Sequence, residues 1–402
     1  MGQQDWYPIV RALTEQLVAV RSVSPGTGER AIAQVIVDLL RADDLGDAYT
    51  FCDLEPLPND PFGRANAVAY LRGQRPETLV LLGHIDTVGT EDYGALEPLA
   101  TDPIALALHQ KELMGDVTLE HPKEWMFGRG ALDMKSGVAV NIALMRHFAR
   151  QVKETGEPPP LSLVFAGAPD EETESAGMLA LMPWLAQLRR RERLHYVGLI
   201  NTDYVTPRSA NDPERPIYLG SVGKLLPIFY IVGKATHVGN PYDGIDANLL
   251  SAELVRDLCM DPSLTERVDD ATTPPLVTLH HSDLKTAYNV QTPLAAWFYL
   301  NILTLRATPE EWLDRLKTRS HVAIRRVQRR MARDYRTLHN NQDSPLPAHL
   351  ADSTALTYAE LLAATLTIKG AEAVRATLDR LRNECPPAMD SREATLRMIM
   401  AL

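Results

Sequence analysis

Apolar and polar positions follow two rhythms along this chain. From Tyr7 to Val20 the apolar residues Ile9, Val10, Leu13, Leu17 and Val20 fall near helical spacing, which predicts an amphipathic helix. After the turn Ser22-Val23-Ser24-Pro25-Gly26-Thr27-Gly28, the stretch from Glu29 to Leu40 repeats the rhythm with Ile32, Val35, Ile36, Leu39 and Leu40. Asp133 to about Val152 and Ala176 to Arg193 read as helices too. Between the helices lie short apolar runs at Thr78 to Leu82, Leu161 to Ala166 and Tyr196 to Ile200. Such runs suit strands buried on both faces of a parallel sheet. Tyr49 to Phe51 and Ala67 to Leu71 read as further strands. Strands alternating with helices predict an α/β fold, a mostly parallel-core sheet with flanking helices.

The rhythm changes at Gly220-Ser221-Val222-Gly223. Leu225 to Gly233 reads as a strand, Ala235 to Pro241 as a loop and Asn248 to Leu258 as a helix. Strand-like stretches follow at Leu276 to Leu279, Ala287 to Val290 and Ala295 to Leu303, and a long helix begins after Pro309. This order predicts a separate, inserted α+β domain. The expected limits are 1–219 for the first part of a catalytic domain, 220–337 for the insertion and 338–402 for a return to the first domain. Arg325, Arg326, Arg329, Arg330, Arg333 and Arg336 make the long helix basic, and they read as a solvated face. The acid- and proline-rich segment from Thr90 to Glu124 reads as a lid-like insertion.

The chemistry gathers where the apolar runs end. Gly83-His84-Ile85-Asp86 closes the first, Asp170-Glu171-Glu172 follows the second and Asn201-Thr202-Asp203 the third. Gly130-Ala131-Leu132-Asp133 opens the intervening helix. Ligand sites of α/β sheets form outside the carboxyl ends of strands. Any one of these stretches alone reads as readily as a buried His or a solvated loop acid. Four segments converging on imidazole and carboxylates point to a metal site. Adjacent carboxylates such as Glu171 and Glu172 repel each other, and a cation between them relieves that repulsion. One of the two can ligate while the other stays free as general base, since a tightly bound carboxylate cannot take a proton. Asp86 can orient the His84 imidazole.

Composition narrows the class. The length of 402 residues favours two domains, and a net charge of −11 argues against nucleic acid as the main partner. Cys52, Cys259 and Cys385 are scattered, which fits a reducing compartment rather than a disulfide framework. The start, Met1-Gly2-Gln3-Gln4-Asp5-Trp6, lacks a secretory pattern, and no apolar run is long enough to span a bilayer. A soluble, cytoplasmic protein is expected, with no membrane partner. A nucleotide-binding enzyme is disfavoured: GxxxxGK[ST] is absent, and Gly128-Arg129-Gly130 does not extend to GxGxxG.

Taken together, Gly83-His84-Ile85-Asp86-Thr87-Val88, Gly130-Ala131-Leu132-Asp133-Met134-Lys135-Ser136-Gly137 and Asp170-Glu171-Glu172 resemble the signature motifs of the co-catalytic zinc peptidases. That family includes glutamate carboxypeptidase, aminoacylase, acetylornithine deacetylase and succinyl-diaminopimelate desuccinylase. The insertion after Val88 and the segment Gly233-Lys234-Ala235-Thr236-His237-Val238-Gly239 look most like its RocB-type arginine-utilisation branch. The resemblance implies a zinc-dependent metallopeptidase or N-acyl amino acid amidohydrolase acting through a metal-bound hydroxide on a small peptide or N-acyl amino acid. It implies His84 and Asp203 on one zinc, Glu172 on the other and Asp133 bridging them, with manganese or cobalt as substitutes. Glu171 would be the general base and Asp86 the orienting acid. The inserted domain would serve as lid and homodimer interface, with His237 reaching the partner's site to stabilise an oxyanion and Asn289 and Arg306 contacting substrate.

One part of the family pattern is missing. The second zinc takes a His from the returning chain, and only His339 and His349 stand there, neither after a buried strand. The chain is expected to be shorter than the family's full catalytic domain. One tight zinc, a weak carboxylate-rich second site suited to magnesium or manganese, and reduced hydrolysis are the expectation. The competing expectation is a non-catalytic or weakly active relative acting as a dimeric binding protein.

Overall fold

A five-stranded sheet organises the first of two units, Met1–Pro216 and Ile217–Leu402, in the computed structural model of this protein. The structure describes residues 5–115, 117, 121, 124–206, 214, 216–339, 353–386 and 389–402. The first unit opens with α1 (Tyr7–Val18) and α2 (Gly28–Arg41), then β1 (Phe51–Pro56), β2 (Ala65–Leu71) and β3 (Arg75–His84). Two short helices follow, α3 (Pro103–Ala107) and α4 (Gln110–Met114), and then α5 (Ser136–Thr155), β4 (Leu161–Ala168), α6 (Ala176–Glu192) and β5 (His195–Asn201).

The strand order is β1-β2-β4-β3-β5. β3 pairs in parallel with both β4 and β5, whereas β1, β2 and β4 pair antiparallel. Parallel neighbours need crossover connections, and α5 and α6 supply them. The apolar stripes of α1, α2 and α5 bury Leu17, Ile36, Val138 and Ile142 against one face, where Phe165 and Leu81 meet them. On the other face Leu181, Leu185 and Leu188 of α6 pack on Val68, Tyr70 and Val164. The result is a sheet between helical layers, a mixed α/β architecture with a parallel core. The run from Tyr196 to Ile200 differs from expectation. It forms the edge strand β5, and Val197, Leu199 and Ile200 are 51%, 48% and 47% exposed rather than buried on both faces.

Parallel register decides where the chemistry lies. Gly83 and His84 stand beside Gly167 and Ala168, and Leu82 stands beside Asn201. The residues that leave β3, β4 and β5 therefore emerge on one side of the sheet.

The second unit contains β6 (Gly223–Leu225), β7 (Ile228–Val232), α7 (Ala247–Leu258), the two-residue strands β8 (Arg267–Val268) and β9 (Ala271–Thr272), β10 (Val277–Asp283), β11 (Ala295–Thr304) and α8 (Pro309–His339). β11 is central and pairs antiparallel with β10, β6 and β7. Phe298, Leu300 and Ile302 of β11 meet Leu250, Leu254 and Leu258 of α7 and Trp312, Leu316 and Val327 of α8 in one core. Ala287 to Val290 is not a strand but a turn, held by Lys285 Nζ donating to the carbonyls of Asn289 and Gln291 at 2.8 Å each. After residue 352 come α9 (Tyr358–Lys369), α10 (Ala371–Glu384) and α11 (Ser391–Ala401), grouped with the second unit, and Arg392 of α11 lies over the Tyr299 ring of β11.

Candidate metal centre

The site is built around the end of β3. Gly83 lies close under the start of α5 and the residues before it: a Cβ there would come within 2.8 Å of the Met134 and Val138 side chains. The next residue, His84, is buried, and its backbone N–H donates to Met134 Sδ at 3.0 Å. Its Nδ1 lies 3.1 Å from the Asp86 carbonyl and 3.6 Å from Asp86 Oδ1. Its Nε2 lies 2.9 Å from Asp133 Oδ1 and 3.9 Å from Asp203 Oδ1. Asp86 is fully buried and accepts the Glu172 backbone N–H on Oδ2 at 3.0 Å. That bond ties the end of β3 to the turn after β4. The other oxygen, Oδ1, is buried without a hydrogen-bond partner among the described residues.

Two groups of potential ligand atoms result, His84–Asp133–Asp203 and His84–Glu171–Glu172, with the atoms of each within 4.8 Å of one another. They share one imidazole. Burial disfavours the His84 cation, but Asp86, Asp203 and Glu171 outweigh that and push its pKa up to about 9. Burial, opposed by His84 and aided by Asp203, Asp86 and Asp133, holds the Glu171 carboxyl above its ordinary value. Glu172 is raised as well, by burial and then by Asp133, with His84 opposing. Nearby Lys135 is buried, donates to the Val20 carbonyl at 2.8 Å and is pulled down to about 7 by burial, against the attraction of Asp86. Burial and the neighbouring acids raise the Glu171 and Glu172 carboxyls, and a cation among them would relieve that repulsion. Imidazole and carboxylate oxygens together suit zinc, manganese, cobalt or magnesium, so the residues present fit a divalent ion.

The structure brings together His84, Asp86, Asp133, Glu171, Glu172 and Asp203. The other sequence-derived residues belong to the second unit. His237 is exposed, and its Nδ1 accepts the Gly239 N–H at 3.0 Å. A bridge between His237 and Gln291, with the Val238 N–H bonded to the Val290 carbonyl at 3.0 Å, sets that loop beside the turn of Asn289. Asn289 Oδ1 accepts the Gln291 N–H at 3.1 Å. Arg306 is exposed, and its backbone N–H donates to Glu266 Oε2 at 2.8 Å. His339 closes α8, but its side chain and all of His349 lie outside the described residues.

Sequence reasoning missed the buried charges behind the site, Glu29, Arg64 and Asp170, to which no role was assigned. Arg64 and Asp170 pair across 106 positions of sequence. The one local signal was an acid in the first turn of an otherwise apolar-faced helix, Glu29 of α2.

An α/β unit that delivers an imidazole and several carboxylates past the ends of adjacent parallel strands is suited to holding a divalent ion. The chain belongs to peptidase family M20/M25/M40, whose model matches residues 80–401. Protein RocB of Bacillus subtilis (strain 168) is 35% identical over 338 residues, covering 81% of this chain and 58% of RocB. A succinyl-diaminopimelate desuccinylase of Methylibium petroleiphilum is 30% identical over 239 residues, 58% of this chain and 53% of the desuccinylase. The chain thus spans little more than half the length of these relatives. Among solved structures, the M20 family metallo-carboxypeptidase Sso-CP2 of Sulfolobus solfataricus shares the fold, with a TM-score of 0.54 at 14% identity over 78% of this chain and 75% of that one. No helix among the described residues is long and apolar enough to cross a membrane.

Proposed function

We propose that this protein is a metal-dependent hydrolase that cleaves an amide bond in a small peptide or an N-acyl amino acid. The observation that carries the reading is the convergence of Asp133, Asp203, Glu171 and Glu172 on the buried imidazole of His84. Family membership supports it, and a relative named a desuccinylase supports the acyl-amide side. His84 and Asp203 would hold one ion, Glu172 the other, with Asp133 between them. When bound, a divalent pair polarises the substrate carbonyl and lowers the pKa of a water.

The chain's own groups do the rest. Glu171 holds and moves the proton, and its raised carboxyl pKa brings it toward the range where proton transfer works in both directions. The Asp86 carbonyl accepts the His84 Nδ1–H, with the Asp86 carboxylate 3.6 Å away, which leaves Nε2 as the ligand atom. His237, acting from a second copy in a homodimer, donates from Nε2 to the developing oxyanion. Its Nδ1 already accepts from Gly239, which favours the tautomer with the proton on Nε2. Asn289 and Arg306 are the substrate contacts of that domain. With His84 given to the first ion, the second position would be left with carboxylates, so zinc would be held tightly at the first and the weaker second would suit magnesium or manganese. Free thiols at Cys52, Cys259 and Cys385 support a cytoplasmic setting.

A panel of N-acyl amino acids and dipeptides, assayed with zinc, manganese or cobalt, tests the reading. Turnover of at least one class, abolished in Glu171→Gln, is expected. A protein that binds metal but turns over none of them is a binding protein instead.

A further inference from the structure

Behind the Glu171-Glu172 pair lies a cluster of charges with no part in metal binding. Arg64, just before β2, is 6% exposed, and Glu29 and Asp170 are 0% and 1% exposed. The guanidinium reaches Asp60 Oδ1 from Nε at 2.9 Å and from Nη2 at 2.7 Å. Its Nη1 pairs with Asp170 Oδ1 and lies 3.5 Å from Glu29 Oε2. Glu29 accepts the Gly26 N–H at 2.7 Å. Ser24 Oγ lies 3.0 Å from Asp170 Oδ1, and Asp170 Oδ2 accepts the Ala176 N–H at 2.9 Å.

Asp170 needs this support. Its φ is +72°, a left-handed conformation that a side-chain-bearing residue holds only when its surroundings over-determine it. Ser175, at the end of the same turn, has φ +57°. The residues between these two left-handed points include Glu171 and Glu172. Buried charges are costly unless fully partnered, so a cluster spanning α2, the approach to β2 and the exit of β4 is an expensive way to gain stability alone. It is an effective way to fix one turn.

We propose that Arg64, held by the Asp60 carboxylate and beside Glu29, is a positioning residue: it clamps Asp170 in the left-handed turn that presents Glu171 and Glu172 to His84. The proposal rests on the reading of those two glutamates as base and ligand. It extends the centre to residues that touch neither metal nor substrate.

Hydrogen exchange of metal-free protein tests it without relying on catalysis. In Arg64→Met, the amides of 170–176, among them those of Glu172 and Ala176, should exchange about tenfold faster while those of β3 and α5 keep their rates. Cobalt(II) titration of the same variant should show affinity weakened about 10- to 100-fold, with an altered visible spectrum. Arg64→Lys, which keeps a cation, should recover most of that affinity. Ser24→Ala, a mild change that leaves every charge in place, should show the same effects at reduced size. Unchanged exchange of 170–176 and unchanged cobalt affinity in folded Arg64→Met would overturn the proposal. If Arg64→Met does not fold, the same null result in Ser24→Ala does so. Faster local exchange in a protein that hydrolyses no amide leaves the clamp standing and removes the hydrolase reading instead.

Discussion

Glu171 and Glu172 are adjacent and chemically identical, so only their surroundings can divide the work. The Glu172 backbone is tied to Asp86, whereas Glu171 faces His84 and the carboxylates that raise it. Glu171→Gln should keep metal content and lower turnover by about 10²- to 10⁴-fold. Metal content and steady-state rate on the same preparation check this, and a parallel fall of both reverses the two assignments. Asp86→Asn should weaken metal affinity by about 10- to 100-fold, because the His84 imidazole loses the carboxylate charge 3.6 Å from Nδ1. Titration of metal-free protein reads that directly. At this scale the sequence was informative where ligands sit within a few residues of a strand end, as His84 and Asp86 do. It was silent on Arg64 and Asp170, whose pairing depends on β2 and β4 lying side by side in the sheet.

Among elements, the contact that matters most for the centre is between the start of α5 and the exit of β5. A Cβ on Gly137 would come within 2.0 Å of the Thr202 carbonyl oxygen, which is backbone and cannot swing away. Thr202 precedes Asp203, and Gly137 lies one turn beyond Asp133, so this glycine sets the spacing of two prospective ligands. Gly137→Ala should destabilise the protein by about 1–3 kcal/mol through overpacking and weaken the first metal position as well. Thermal melts with and without zinc separate the effects: zinc should raise the melting temperature of the variant less than that of the parent. Periodicity located α2, α5 and β4 because each buries a continuous apolar face. It failed at Ala287 to Val290, where an apolar stretch is held as a turn by Lys285, and at β5, where an apolar run forms an exposed edge.

For the molecule as a whole, the metal-free state carries a predictable pH dependence. Burial, opposed by the Gly26 N–H and Arg64, raises the Glu29 carboxyl from 4.5 to about 7. Its folded form therefore binds a proton more tightly than the unfolded chain, and its contribution is lost as pH rises through about 7. The raised His84, at about 9 against 6.5, acts in the same direction: its contribution is complete below 6.5 and lost as pH rises through about 9. Lys135, lowered from 10.5 to about 7, acts in the opposite sense and offsets His84 above pH about 7. Chelator-treated protein should thus lose stability from pH about 5 to about 7, read as a falling urea midpoint, and a rising midpoint over that span contradicts the assignment. Homodimer function has its own test. Mixing His237→Ala with Glu171→Gln should restore activity in dimers shown to have exchanged subunits, and no recovery contradicts action across the interface. The central claim, however, is that His84 and its carboxylates form a metal centre. Zinc content per chain after exhaustive dialysis, for the parent and for His84→Ala, tests it most directly. One tightly held zinc is expected in the parent and none in the variant; a parent that retains no zinc, or a variant that retains as much, would contradict a metal centre at His84.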